Sequence, residues 1–573
     1  MGRGTLDPFG PVGGGSGMPV TEAPEASLET SALASEWSSR IRAGRRHLGG
    51  AVLLLSLMSA CASSLDTHTA HMDRFGHDPA GMLFTDTFRE IREFYLVPIS
   101  SETLALAGLA KLDQADGTFA VAEIDHTVVF FDRDVAIEHL GAPDPDDADG
   151  WAAVVSTALA DARQHAPDLA GASNEVLYQK IFDGILPKLD RFTRYAGADA
   201  ARDQRASRDG FGGIGITLDY SDGRPRVSTV SPDTPAAKEV RVDDRLIAID
   251  SVEVGGLTER QVVDRLRGEL GSRVVVTLHR PGRVEPISAS IKRALIVTPT
   301  VTVERDDNVA IFHVSSFNSG TAQALGDAIA RMRADLGKQW KGIVLDLRGN
   351  PGGLLEQATG VAALFIDHGQ IVSTRGWDPA ATQDFEAQSG DQTHGLPMVV
   401  LVNGGSASSA EIVAAALQDH DRAVLVGTSS YGKGTVQRVL TLPNQGELTL
   451  TWARLYTPAH YVLHEHGVVP VFCTSEEADQ SEFPEEPPAR LAAIIERGLH
   501  PQGIEAQSRA SLSDPAWVQL RQSCPAETEE SPFDLKLAKR LLRDPSLYAA
   551  ALSTPAIALA QQSTGHSDAA PLQ

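Results

Sequence analysis

Leu401–Gln437 reads LVNGGSASSAEIVAAALQDHDRAVLVGTSSYGKGTVQ, and the pattern of apolar runs and glycines in it sets the fold around it. Val399–Asn403 (VVLVN) has the continuous apolar character of a buried strand, Gly404–Ser408 is a turn, and Ser409–Gln418 is a helix opened by serines and an early Glu411. A serine at such a junction sits where free backbone N–H groups and the positive helix end converge, so negative charge developing on a nearby carbonyl oxygen is stabilised. Arg422–Gly427 (RAVLVG) reads as a second strand and delivers Lys433 between Gly432 and Gly434, where small neighbours leave the amine uncrowded.

A serine hydroxyl becomes a nucleophile when a base removes its proton, and a lysine serves if burial disfavours its ammonium form. Val424–Val426 before Lys433, and Val436, Val439 and Leu440 after it, supply apolar surroundings. Gln437, four residues on, falls on the face of Lys433, where its amide would orient the amine without adding charge. A surface lysine in a hairpin turn fits this stretch equally well.

The motif NGGSASSAEIVAAALQDH…VGTSSYGKGTVQ resembles the signature of the carboxyl-terminal processing (tail-specific) proteases, which use a serine–lysine dyad. Ile343–Leu355 (IVLDLRGNPGGLL) resembles that family's other hallmark. The resemblance implies Ser408 as nucleophile, Lys433 as general base and Gln437 as its positioner. Ser409-Ala410 stands where many members have Ala-Ser, which makes Ser406 and Ser409 the decoys to exclude. The family core is crotonase-like, and its oxyanion hole would be formed by the N–H groups of Gly352, Gly353 and Ser409. The resemblance carries no cofactor and no metal. Glu411 and Asp419 match acidic positions that support the site, as helix-capping and orienting groups.

The chain has 573 residues, room for two or three domains, and a formal charge of −25 that argues against a nucleic-acid partner. Its three cysteines exclude a zinc framework and a disulfide-dense scaffold. Arg40–His47 is basic, Leu48–Met58 apolar, and Ser59-Ala60-Cys61 small, a secretory succession too short for a comfortable membrane span. Met58–Cys61 resembles a bacterial lipobox, which makes Cys61 the lipidated first residue of an exported, periplasm-facing, lipid-anchored protein; a plain cleaved signal is the alternative. Residues 1–39 form an atypical extension that a misassigned start codon explains equally well. After export, Cys473 and Cys524 form either a disulfide or two buried thiols.

Along the chain, Met82–Phe94, Leu104–Leu112, Trp151–Arg163 and Glu175–Leu189 read as helices, Thr118–Ala136 as a small sheet, and 142–149 as a linker. The run FDGILPKLDRFTRYAG (182–197) resembles the segment before the recognition module in one branch of the family and suggests no catalytic role. Gly210–Arg283 gives short strands, one helix and closing strands, and resembles a PDZ domain. Such domains bind a chain terminus by strand addition. Phe211, Gly212, Gly213, Ile214, Gly215 and Ile216 would form the carboxylate-binding loop, and the helix with Val262, Val263 and Leu266 would wall the groove. Lys238–Val240 and Asp243-Asp244 depart from the family's glycine-bearing turns.

These readings predict a layered α/β protease core with an inserted PDZ domain. The divisions are a leader (1–60), a linker (61–79), a helical region with a small β insertion (80–205), the PDZ domain (206–292), the serine–lysine core (293–475), and a helical C-terminal appendage with a polar tail (476–573). The expected activity is a serine endopeptidase acting near the C-termini of exported proteins or peptides, whose exposed tails are its partners. A homo-oligomer or an adaptor protein is left open. The rivals are a weakly catalytic PDZ adaptor and a Ser–His–Asp hydrolase using His420 and Asp419, although the second glycine of a nucleophile elbow is missing. A P-loop reading of Gly427–Lys433 lacks the hydroxyl after the lysine. His460 and His464 have helical metal spacing, but Pro458 and β-branched neighbours favour strand or loop.

Overall fold

The computed structural model describes residues 78–221, 223–388, 390–475, 487–499, 504–506, 512–553 and 558–560. The leader and Cys61 lie outside them.

The core sheet runs in the order Val301–Asp306, Val309–Val314, Gly342–Asp346, Met398–Val402, Val424–Gly427, Phe472–Cys473. The first pair is antiparallel and the rest are parallel. Alternation along each strand sends side chains to opposite faces. Phe312, Leu345, Val400 and Leu425 meet the helices Thr321–Leu336, Leu355–Ala363 and Ser409–Asp419 on one side. Ile311, Val344, Leu401 and Val426 meet the C-terminal helices on the other, through Ile494, Leu537, Leu541 and Tyr548. Within the segment expected to be an appendage, the helices Pro487–Leu499, Asp534–Arg543 and Pro545–Ser553 thus form the third layer of the core. The amphipathic period of Asp534–Arg543 was readable from Leu537, Ala538, Leu541 and Leu542, but the face it covers is a tertiary property.

A second, antiparallel sheet is ordered Gln383–Ala387, Gly369–Gly376, Glu447–Tyr456, Thr435–Thr441, with Arg194–Ala196 also paired to Glu447–Tyr456. The N-terminal helices Pro79–Phe94, Ser101–Asp116, Ala148–His165 and Asn174–Ile185 enclose Phe84, Trp151 and Phe182 with the meander Phe119–Gly141, and this cluster extends to Leu448 and Leu450 of that sheet. Residues 142–147 connect the meander to the helix Ala148–His165, where Asp147 accepts the Gly150 N–H as the cap and Asp149 pairs with Arg89. Acidic residues before an apolar run act as a cap because they satisfy otherwise unpaired N–H groups.

The PDZ unit is an antiparallel sheet ordered Ile287–Lys292, Arg273–His279, Arg245–Ile249, Arg226–Val230, Ile216–Asp219, with the helix Glu259–Leu266 opened by a Thr258–Gln261 capping box. Its chain enters and leaves through one ribbon, Phe211–Gly213 paired with Ala294–Ile296.

Candidate active site

Met398–Val402 ends at a turn whose geometry is dictated by Asn403. Its Oδ1 accepts the N–H groups of Gly349 (2.8 Å) and Gly405 (3.0 Å), which fastens the serine turn to the RGNPGG turn. The Ala407 N–H donates to the Asn350 carbonyl at 2.9 Å. Ser408 then adopts φ 54°, ψ −113° immediately before the helix Ser409–Asp419. A non-glycine residue held at positive φ costs energy that the surrounding bonds must supply. The two decoy serines are engaged elsewhere. Ser406 Oγ donates to the Leu347 carbonyl at 2.8 Å, and Ser409 Oγ donates to the Gly353 carbonyl at 2.9 Å.

Glu411, in the first turn of the helix, is fully buried. Its Oε2 accepts the backbone N–H of Ser408 (2.7 Å) and of Lys433 (2.9 Å). Its Oε1 accepts Ser430 Oγ (2.5 Å) and the Gly432 N–H (2.6 Å). Burial raises the carboxyl pKa above its ordinary value, and these donors offset only part of that rise. The serine turn and the lysine turn are therefore tied to one carboxylate.

Lys433 precedes the strand Thr435–Thr441, with its amine 5.4 Å from the centre of the Phe192 ring. Burial, helped by the positive charge of Arg194, lowers its pKa from 10.5 to about 8, while Glu411 and Asp190 oppose the fall. Asp190 is itself held by the Phe192 N–H (2.7 Å) and by the hydroxyls of Thr193 and Thr451, both at 2.9 Å. Asp190, Phe192, Thr193 and Arg194 belong to the 182–197 run, in which the sequence suggested no role; their signal is proximity to Lys433 in space. Gln437 donates to Thr435 Oγ1 at 2.8 Å and reaches Thr451 Oγ1 at 3.5 Å. Its amide thus joins the polar cluster beside the lysine rather than being placed by a bond to the amine.

The RGNPGG turn lies against Ser408. Gly352 has φ 98°, and a Cβ there would stand 2.8 Å from Ser408 Cβ, so only glycine permits this approach. Its N–H donates to Asn350 Oδ1 at 2.8 Å. Gly353 forms a bridge with Phe317, whose N–H and carbonyl bond to Gly352 and Leu354.

His420 sits at the opposite end of the Ser408 helix, roughly 18 Å away at 1.5 Å per residue, with its Nε2 at 2.7 Å from the Gln370 carbonyl. His460, His464 and His466 fall in the irregular segment before Gly467. Among the described residues no group of three or more His, Cys, Asp and Glu side chains is arranged to hold a metal. Cys473 and Cys524 are bonded, with Cα atoms 5.7 Å apart. In the PDZ unit, Phe211–Gly213 is paired as a strand, Ile214 and Gly215 form the bend, and Ile216 opens an edge strand. Val262 and Leu266 are buried in that unit's core. No described helix is long and apolar enough to cross a membrane.

The sequence model of peptidase family S41 matches residues 308–472, which contain the RGNPGG, serine and lysine turns, and that of the PDZ domain matches 226–280. A carboxy-terminal-processing protease of Bartonella bacilliformis is 39% identical over 300 residues, covering 52% of this chain and 69% of the relative. The chain belongs to peptidase family S41. The carboxy-terminal processing protease CtpA of Bacillus subtilis is 34% identical over 300 residues, 51% of this chain and 63% of that protein, so the match spans just under two thirds of its length. Among solved structures, the photosystem II D1 C-terminal processing protease aligns over 70% of this chain and 96% of its own, at 24% identity and a TM-score of 0.36. The S41 match ends at Phe472, before the C-terminal layer, so the helices Pro487–Leu499, Asp534–Arg543 and Pro545–Ser553 are core structure beyond the family's matched region.

Proposed function

We propose that this S41 protease is a serine endopeptidase in which Ser408 is the nucleophile and Lys433 the general base, acting near the C-termini of exported proteins. The observation that carries the reading is the shared bonding of both residues to Glu411, beside an amine whose pKa burial brings down to about 8. Neutral Lys433 takes the Ser408 Oγ proton as Oγ attacks the peptide carbonyl. The amides of Gly353 and Ser409 receive the oxyanion; Gly352 is left out because its N–H is spent on Asn350. Collapse expels the amine fragment, which takes the proton from the Lys433 ammonium. Water, deprotonated by the same lysine, then hydrolyses the acyl-enzyme.

The edge strand Ile216–Asp219 of the PDZ sheet suits tail capture by strand addition. Gln437 is the positioning residue of the pair, its amide held by the Thr435 and Thr451 hydroxyls. Export and lipidation at Cys61 would place the enzyme on the periplasmic face of a membrane. The test is a fluorophosphonate, which phosphonylates an activated serine with loss of fluoride, followed by peptide mapping. Label on Ser408 is expected, whereas label on Ser406 or Ser409 would overturn the assignment.

A further inference from the structure

The buried charge beneath the two catalytic turns comes from outside the family's matched region. Arg521 lies in the last turn of the helix Asp514–Ser523. Its Nη2 donates to the Ser430 carbonyl and its Nη1 to the His466 carbonyl, both at 2.8 Å. Ser430 turns its hydroxyl the other way, to Glu411 Oε1. Gly467 leaves the gap in which these groups meet. A Cβ there would stand 2.6 Å from Arg521 Nη1, 2.7 Å from Ser430 Oγ and 3.1 Å from Glu411 Oε1, on backbone at φ 61°. The guanidinium therefore stands close to the one carboxylate that accepts both Ser408 and Lys433.

Two features fix Arg521 there. Trp517, one turn earlier, is buried and stacks on the His466 ring at 4.8 Å. Three residues later, Cys524 is bonded to Cys473, whose strand pairs with Val424–Gly427, the strand leading to the lysine turn. The chain then continues behind the serine turn, where the Gly404 N–H donates to the Glu527 carbonyl at 2.7 Å and Asn403 Nδ2 to that of Thr528 at 2.8 Å.

We propose that Arg521 is a positioning residue for the Ser408–Lys433 pair, held against the Ser430 and His466 carbonyls, near Glu411, by the Cys473–Cys524 bridge. The buried guanidinium supplies the counter-charge that keeps the Glu411 carboxylate ionised, so that it accepts from both turns at once. Without it, a protonated or displaced Glu411 releases one of the two N–H groups and the dyad opens. The inference rests on the serine–lysine reading, so the assay first requires that wild type cleaves an unstructured, apolar-tailed peptide and that Lys433→Ala does not.

Given that, Arg521→Met is expected to lower kcat about tenfold or more with KM held within about twofold, and Arg521→Lys to restore part of the loss. Reducing the bridge in folded wild type, with both thiols confirmed by alkylation, should lower kcat in the same way. Reduction of Arg521→Met should then cost little more, because both changes act through one contact. Undiminished kcat in folded Arg521→Met would overturn the proposal. So would equal losses in the Met and Lys variants with KM rising in step. If Arg521→Met does not fold, the reduced wild type decides: full kcat contradicts the proposal, and a lower kcat at constant KM supports it. Activity retained by Lys433→Ala would instead mark failure of the underlying dyad.

Discussion

Ser408 and Lys433 donate their backbone N–H groups to the same oxygen of Glu411, at 2.7 and 2.9 Å, so the two nitrogens lie no further apart than those bonds together allow. Twenty-five positions separate them in sequence, and neither adjacent strand nor helix connects them directly. The carboxylate does.

Glu411→Gln tests that connection. An amide keeps the shape but turns an NH2 group toward one pair of donors, leaving buried N–H groups unpaired at about 1–3 kcal/mol each. Thermal melting should show the destabilisation, and kcat should fall about tenfold or more by the same arithmetic. Wild-type kcat in a folded Gln variant would mean that the shared acceptor does not set the geometry.

The pH profile follows from the depressed Lys433 pKa. A base acts in its neutral form, so kcat/KM should rise with pH through an apparent pKa of about 8. The stability consequence has a definite sign. Between about 8 and 10.5 the unfolded chain holds a proton that the folded protein has released, so burial of this lysine costs most below the folded value and the cost is gone above 10.5. Lys433→Met should therefore melt higher than wild type at pH 7, by up to about 3 kcal/mol, with the gain vanishing at high pH. A gain independent of pH would contradict the depressed value.

Leu541→Ala probes the C-terminal layer. Leu541 is fully buried against the underside of the core sheet. Truncation there should cost about 2–5 kcal/mol by urea unfolding. A cost near zero would return residues 534–553 to the status of an appendage.

Tail capture predicts a substrate preference. A peptide ending in a free carboxylate should show a KM lower by about tenfold than its amidated twin, at similar kcat, because the loss is confined to ground-state recognition. Equal KM values would remove the presentation role from the PDZ unit.

The strand–turn–helix around Ser408 was legible because each element carries its own periodicity and its own punctuation in glycine and serine. Lys433 was legible as a candidate base from its apolar flanks, and Glu411 as a helix-capping acid from its place three residues after Ser408. That Glu411 also collects Lys433, Gly432 and Ser430 was not, because those bonds depend on how two loops meet. Phe192, Arg194 and Arg521 escaped for the same reason: each reaches the lysine or the carboxylate from a segment with its own, ordinary local pattern. Within 142–149 the sequence did not mark where connection ends and helix begins, because capping aspartates and linker aspartates have the same composition and only the apolar helix packed behind them separates the two.

The most direct test compares wild type, Lys433→Ala and His420→Ala on one unstructured, apolar-tailed peptide, with melting curves to establish folding. Removing the general base should lower the rate by about 10²–10⁴-fold, while His420→Ala, altered at the far end of the helix, should cleave at close to the wild-type rate. Undiminished cleavage by folded Lys433→Ala, together with loss of activity in His420→Ala, would contradict the account.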